Sequence, residues 1–250
     1  MGLWTPEHAA TLLPSVAVML ILSLLLGKWL KGKPFETRML PIKVVAVILL
    51  LLEVGKQVVS LCRGYDLYHL PFHFCSLFLF MMPAMAFYRG KHREKVFSIT
   101  TSLCAACSLL MIVYPALIYS DGNIREFFRE YLSFHTVLFH NLVVFAFLLI
   151  LTLDVQPPAG KGSVKAISLF MLVFSVVAAI MSQLLKTNYT NMYTCNIPFF
   201  EELRLSLQPV LGYWITQLLY VSILTCLHIL FVLMCYSLLK LVFRRKKVSV

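Results

Sequence analysis

The sequence contains few charged side chains. Aspartate, glutamate, lysine and arginine together make up 13% of its 250 residues, whereas hydrophobic residues make up 60%. Soluble globular chains average about 25% charged and about 45–50% apolar residues. A soluble protein is therefore excluded. A nucleic-acid partner is excluded too, because the net charge of +11 is not gathered on a soluble basic face with interleaved aromatic residues.

Cysteine lacks the pattern of a disulfide scaffold. The chain has seven cysteines, an odd number without regular spacing, whereas small secreted domains carry even numbers at regular spacings. Most are expected to be buried apolar side chains. Cys62 and Cys195 both fall in segments expected on the same side of a membrane, so the sequence allows one disulfide between them.

Long apolar runs dominate the chain. About 20 apolar residues are needed for a helix to cross about 30 Å of hydrocarbon. Runs bounded by charged or turn-forming residues predict seven spans, near residues 9–30, 40–61, 71–88, 95–119, 131–153, 164–186 and 211–241. We therefore predict an all-α polytopic membrane protein, a seven-transmembrane helix bundle that forms a single transmembrane domain over residues 1–250.

The lysines and arginines fall mostly in alternate loops. Of the 22 basic residues, most lie in the first, third and fifth loops and in the C-terminal segment. Cytoplasmic loops carry such an excess. The distribution predicts a multi-pass protein of the cell membrane with its N-terminus outside and its C-terminus in the cytoplasm.

Polar residues inside the predicted spans share one depth. Such residues are costly in hydrocarbon and usually mark function. The predicted topology brings two sets into one outward-facing layer. The expected catalytic residues are His73, Cys75, His135 and His140, and the expected substrate-binding residues are Glu53, Lys56, Asn188 and Tyr189.

The three histidines also leave a zinc site open as an alternative to a site without a cofactor. His135 and His140 are five residues apart, about 140° around a helix, so they do not form the i, i+4 pair of metal-binding helices. A catalytic zinc would instead need His73 from another span as its third nitrogen ligand. Our primary expectation is that there is no cofactor.

Three short motifs occur in order along the chain. They are Tyr-His-Leu-Pro-Phe-His-Phe-Cys-Ser at 68–76, Phe-His-Thr-Val-Leu-Phe-His at 134–140 and Thr-Asn-Tyr at 187–189. In order and spacing they resemble the YwaF-like integral membrane protein family, whose animal relatives include a phospholipid acyltransferase. The resemblance implies an acyl-carrying cysteine directly before the motif histidine. Here Phe72 holds that place, and the nearest thiol is that of Cys75.

Two functions follow from the polar layer. The first is a membrane-embedded lipid-modifying enzyme, an acyltransferase or acyl hydrolase acting on phospholipids, with membrane lipids as acyl donor and acceptor. Its nucleophile would be Cys75 or Ser76, activated by one of the three histidines. The alternative is a transporter or binding protein for a lipid or small solute. The chain has no internal repeat of the kind that transporters show, which favours the enzyme.

Overall fold

A computed structural model describes residues 4–155 and 162–248 of the chain, and all regular elements in these ranges are helical. The α-helices are α1 (Pro6–Trp29), α2 (Phe35–Arg38), α3 (Leu40–Cys62), α4 (Leu77–Phe87), α5 (Arg93–Val113), α6 (Asp121–Arg125), α7 (Tyr131–Thr152), α8 (Ser163–Leu185), α9 (Pro198–Leu211) and α10 (Tyr213–Val248). Four 3₁₀ turns accompany them in the described residues, at Leu67–His69, Phe74–Ser76, Pro115–Leu117 and Tyr189–Asn191. The predicted all-α class and multi-pass character are confirmed.

The third predicted span differs from the others. Six of the described helices are long and apolar enough to cross a membrane. The predicted span 71–88 instead contains the shorter helical stretch Phe74–Phe87, which covers about 21 Å at 1.5 Å per residue. The stretch before it is irregular because Pro71 lacks the N–H that a helix interior needs. Among the described residues, six helices therefore meet the length and composition of a membrane span, and these criteria do not confirm the predicted count of seven.

Ion pairs connect neighbouring loops at each end of the bundle. At one end, which we call the basic end, Glu36 before α3 pairs with Arg89 after α4 and with Arg93 at the start of α5. At the other, the cavity end, Arg63 after α3 pairs with Glu130 before α7 at 2.6 Å. The chain thus leaves the basic end along α3 and returns to it along α4.

Helix α5 forms the centre of the bundle. Its residues from Phe97 to Ser108 are all buried, and it contacts α4, α7, α8 and α10. Most of this stretch consists of small residues, which allow helices to approach closely inside a membrane. One of its hydroxyl groups, Thr100 Oγ1, joins α5 to α4 by donating to the Met81 carbonyl at 3.1 Å.

The segment between the sixth and last predicted spans is not a loop throughout. Residues Pro198–Leu211 form α9, which begins at a proline and ends at Gly212 with φ of +78°. Proline suits the first turn of a helix, and glycine adopts positive φ readily. The proline and the glycine therefore mark the two ends of a helix.

The disulfide that the sequence allows between Cys62 and Cys195 is not formed. Cys62 and Cys195 are both free thiols, the first exposed and the second half-buried. The fold is therefore held by packing and polar contacts.

Candidate functional site

A cavity of about 480 Å³ lies towards the cavity end of the bundle, walled by α3, α5, α7, α10 and the segment before α4. Its volume falls within the range of about 300–1,000 Å³ typical of ligand pockets. The predicted site residues that line it are Glu53, Lys56, His73, Cys75, His135, His140 and Asn188. The polar layer expected from depth alone is thus a contiguous lining, while the roles of its residues stay predictions.

Tyr189 lies behind the cavity wall. Its side chain is completely buried, and its hydroxyl donates to the Leu67 carbonyl at 2.5 Å. Its ring meets the His73 ring edge-on, with centroids 5.3 Å apart. This geometry makes Tyr189 a support for His73.

Glu53 is the hub of the polar lining. Only 13% of its side chain is exposed, and Lys56 Nζ lies 2.8 Å from its Oε1. Gln57 Nε2 donates to the same oxygen at 2.7 Å. His135 Nε2 on α7 approaches Oε2 at 3.3 Å, although at an angle too poor for a hydrogen bond. One carboxylate therefore links α3 to a histidine of the facing helix.

The protonation pattern of two histidines follows from their partners. His73 Nε2 lies 3.0 Å from the Tyr68 carbonyl oxygen, and His140 Nδ1 lies 2.7 Å from the Thr136 carbonyl oxygen. A carbonyl oxygen only accepts hydrogen bonds, so in each neutral ring the contacting nitrogen carries the hydrogen. The other nitrogen, His73 Nδ1 or His140 Nε2, keeps a lone pair.

His135 has a different partner. The carboxylate of Glu53 is also an acceptor only, so it favours the hydrogen on Nε2 of His135 and leaves the lone pair on Nδ1. A carboxylate additionally stabilises an imidazolium that forms when the ring takes up a proton. Among the cavity histidines, His135 is therefore the best equipped to act as a base.

The segment before α4 gives the cavity its depth. Leu70 and His73 have extended backbone, with ψ of 147° and 155°, and the turn Phe74–Ser76 then places Cys75 and Ser76 on the cavity wall. Non-helical backbone is tolerated at membrane depth where it lines a cavity. The irregular start of this segment is thus what opens space beside the thiol.

Two histidines of the lining were not among the predicted site residues. His69 Nδ1 lies 2.6 Å from Ser60 Oγ, and burial together with the Lys56 charge lowers its pKa. His228 lies past the middle of the predicted span 211–241, beyond the outward-facing layer of the predicted site. The structure places it in the cavity wall, with its ring centroid 6.4 Å from that of Phe74. The cavity thus reaches deeper than the predicted layer, and the sequence carries no direct signal of this depth.

The loop that contributes Asn188 has an unusual backbone. Lys186, Thr190 and Asn191 all have positive φ, between 47° and 64°. This region is uncommon for residues other than glycine, above all for a β-branched threonine. Asn188 Oδ1 braces the loop by accepting hydrogen bonds from the Tyr193 and Thr194 amides at 3.1 and 3.2 Å. Such conformations persist where surrounding contacts hold them, and they cluster at functional sites.

The zinc alternative does not fit the side chains. Within residues 4–155 and 162–248, no three histidine, cysteine, aspartate or glutamate side chains are grouped so as to hold a metal ion. His73 and His140 each direct one ring nitrogen to a backbone carbonyl, and His135 directs one to Glu53. We therefore derive no metal-dependent step.

Comparison with known proteins places the chain in a family. A family model, that of the TMEM164 family, matches residues 3–239. The chain belongs to the TMEM164 family. No curated protein and no solved structure matches the chain. The TMEM164 match covers α1 to α9 and most of α10, and it includes every residue of the cavity lining.

Proposed function

We propose that this TMEM164-family protein is a membrane-embedded lipid-modifying enzyme, an acyltransferase or acyl hydrolase that acts on phospholipids. The observation that carries the proposal is the cavity, which combines a thiol, histidines with free lone pairs and a buried carboxylate. Aromatic and aliphatic side chains such as Phe139, Phe231 and Leu110 complete the wall. A pocket that is polar in part and apolar in part suits an ester group with its attached acyl chain.

Each residue has a role in this proposal. The thiol of Cys75 is the nucleophile, and His135 is the base that takes its proton. The Glu53 carboxylate, 3.3 Å from His135 Nε2, stabilises the protonated form of the ring. Lys56 has three ammonium hydrogens, of which one suffices for Glu53, so the others are available to stabilise negative charge on the reacting carbonyl oxygen.

The chemistry consists of two balanced steps. First, Cys75 Sγ attacks the ester carbonyl carbon, the ester C–O bond breaks, and His135 passes the thiol proton to the departing alcohol oxygen. A thioester remains on the enzyme. Second, a lipid hydroxyl attacks the thioester in transfer, or water does so in hydrolysis. The C–S bond breaks, and the proton of the attacking oxygen returns through His135 to the thiolate.

The proposal includes a topology of seven crossings in the cell membrane. The short helix α4 is the third crossing, since its two neighbouring ion-pair clusters lie at opposite ends of the bundle. The basic end faces the cytoplasm, which the excess of lysine and arginine supports. The cavity end then faces outward, with the N-terminus on the same side.

The test is lipid profiling by mass spectrometry with purified protein in phospholipid vesicles. Cys75→Ala and His135→Ala are expected to abolish acyl transfer and release of fatty acid. Ser76→Ala and His69→Ala are matched controls from the same wall and should retain most of the activity. Activity that survives Cys75→Ala but not Ser76→Ala would reassign the nucleophile. Activity that survives all four changes would refute the site.

A second candidate function is transport or binding of a lipid or small solute. The observation that favours it is the non-helical start of the segment before α4, since transporters bind their substrates at interrupted helices. Vesicles in which the wild-type protein leaves every lipid unchanged but moves a labelled lipid between leaflets would support this function instead.

A further inference from the structure

Helix α9 turns its polar side towards the protein. Glu201, Arg204 and Gln208 lie at i, i+3 and i+7, which is one side of a helix. Arg204 is its only buried residue. Its guanidinium donates to Glu201 at 2.6 and 2.9 Å and to Gln217 Oε1 of α10 at 3.1 Å. The helix is thus attached to the bundle through charge and hydrogen bonds.

The opposite side of α9 is apolar and uncovered. Phe199, Leu203, Leu207 and Val210 are exposed by 69%, 49%, 40% and 79%, and their spacing of four, four and three residues forms a continuous stripe. In a globular protein the apolar stripe faces the core. In α9 the polar side faces the protein and the apolar stripe faces outward. The apolar stripe therefore needs a partner other than the rest of the chain.

The remaining flank of α9 carries one charged side chain. At about 100° per residue, Glu202 lies about 60° from Phe199, between the apolar stripe and the buried side, whereas Ser206 lies about 20° from Phe199 at the edge of the stripe. Both are exposed, as are Leu205 and Pro209 on the same flank. The helix therefore has one side bonded to α10, one apolar side and, between them, the charged Glu202. A helix that lies in the plane of a membrane interface has such a separation of apolar and polar faces.

The neighbouring elements fix the level of α9. It connects α8 and α10, both long and apolar enough to span a membrane, and α10 opens with Tyr213 and Trp214. Trp214 is 73% exposed, and tyrosine and tryptophan are enriched where spanning helices meet the headgroup region. Exposed apolar side chains therefore occur both on α9 and at the start of the spanning helix α10.

We infer that α9 is an interfacial helix whose apolar stripe, Phe199, Leu203, Leu207 and Val210, is seated in the lipid bilayer at the boundary between headgroups and acyl chains. Interfacial helices are buried about 5–10 Å into this region. Asn196, directly before α9, belongs to the cavity lining. The membrane contact of α9 therefore holds the cavity at headgroup level, whichever reaction or transport step the cavity performs.

The experiment uses the full chain in phosphatidylcholine vesicles and single tryptophans as reporters. In a background with Trp4→Phe, Trp29→Phe and Trp214→Phe, a tryptophan is introduced at one position at a time. Phe199→Trp and Val210→Trp probe the apolar stripe, and Glu202→Trp is the matched control at the charged position of the flank. Monodisperse elution in detergent identifies the variants that fold, and the conservative Phe199→Trp guards against the loss of one of them.

Fluorescence is measured with acyl-chain-brominated phosphatidylcholine and, separately, with aqueous iodide. Tryptophan at 199 or 210 should be quenched by the brominated lipid and protected from iodide, whereas tryptophan at 202 should show the reverse. Quenching of positions 199 and 210 by iodide alone would place the stripe in water and overturn the inference. Protection of these positions from both quenchers would show that protein, such as a second copy of the chain, covers the stripe and would overturn it equally.

Discussion

Replacement of Glu53 should show whether its ion pair with Lys56 behaves as a buried pair or as an exposed surface pair. The Glu53→Gln variant leaves the Lys56 ammonium, at 2.8 Å and only 14% exposed, without a counter-charge. Two unit charges at this distance attract by about 6 kcal/mol at an effective dielectric constant near 20. Desolvation offsets part of that attraction, and removal of one partner of a buried pair typically costs about 3–5 kcal/mol. We expect a loss of this size in the free energy of unfolding.

The assay is unfolding by sodium dodecyl sulfate in mixed micelles, followed by intrinsic fluorescence. Arg63→Gln is the control, because Arg63 is 56% exposed in its pair with Glu130 and such surface pairs contribute about 0–1 kcal/mol. The double variant Glu53→Gln with Lys56→Met removes both charges and should recover part of the stability that Glu53→Gln loses. The reasoning is refuted if Glu53→Gln costs no more than Arg63→Gln, or if the double variant is the sum of its single changes.

Two further predictions concern packing and pH. Gly55→Ala should reduce stability by about 1–3 kcal/mol in the same assay, because its Cβ would lie 2.0 Å from the Tyr131 hydroxyl oxygen. Gly122→Ala, whose Cβ would meet nothing closer than 3.4 Å, is the control, and equal effects of the two changes would contradict the close approach. The hydrogen bond from Arg204 lowers the pKa of Glu201. A lowered pKa in the folded state gives stability above the pKa of the unfolded chain, about 4.3, and this stability is lost as pH falls through the folded value. Hydrogen exchange of α9, corrected for intrinsic rates, should therefore rise at acidic pH before that of α8, and Glu201→Gln should remove this dependence.

The sequence predicts the long helices well. Spans expected at 40–61, 131–153 and 164–186 are found at Leu40–Cys62, Tyr131–Thr152 and Ser163–Leu185. Charged residues and breakers bound these apolar runs, so hydropathy and helix ends coincide. Hydropathy does not report backbone conformation, however. The apolar run at 71–88 therefore gave no sign that its first residues are extended.

The candidate site was predictable to the extent that depth determines contact. Glu53 on α3 and His135 on α7 are far apart in sequence, and their shared level alone indicated that they meet. Depth does not tell which way a side chain points, so Tyr189 was expected in the cavity but lies behind its wall. It also fails where a segment is not straight. His228 was missed because a uniform helix at the third span would have kept the cavity away from it.

The irregular third segment and the buried charges depend on each other. Charged and imidazole side chains inside a bundle are costly unless they meet partners or water, and a continuous helix from Pro71 would fill the space that they share. Extended backbone at Leu70 and His73 is costly at membrane depth unless it borders a polar cavity. Each feature removes the penalty of the other. A change that straightens this segment should therefore disturb Glu53 and Lys56 as much as it moves Cys75, which ties the stability of the bundle to the geometry of its cavity.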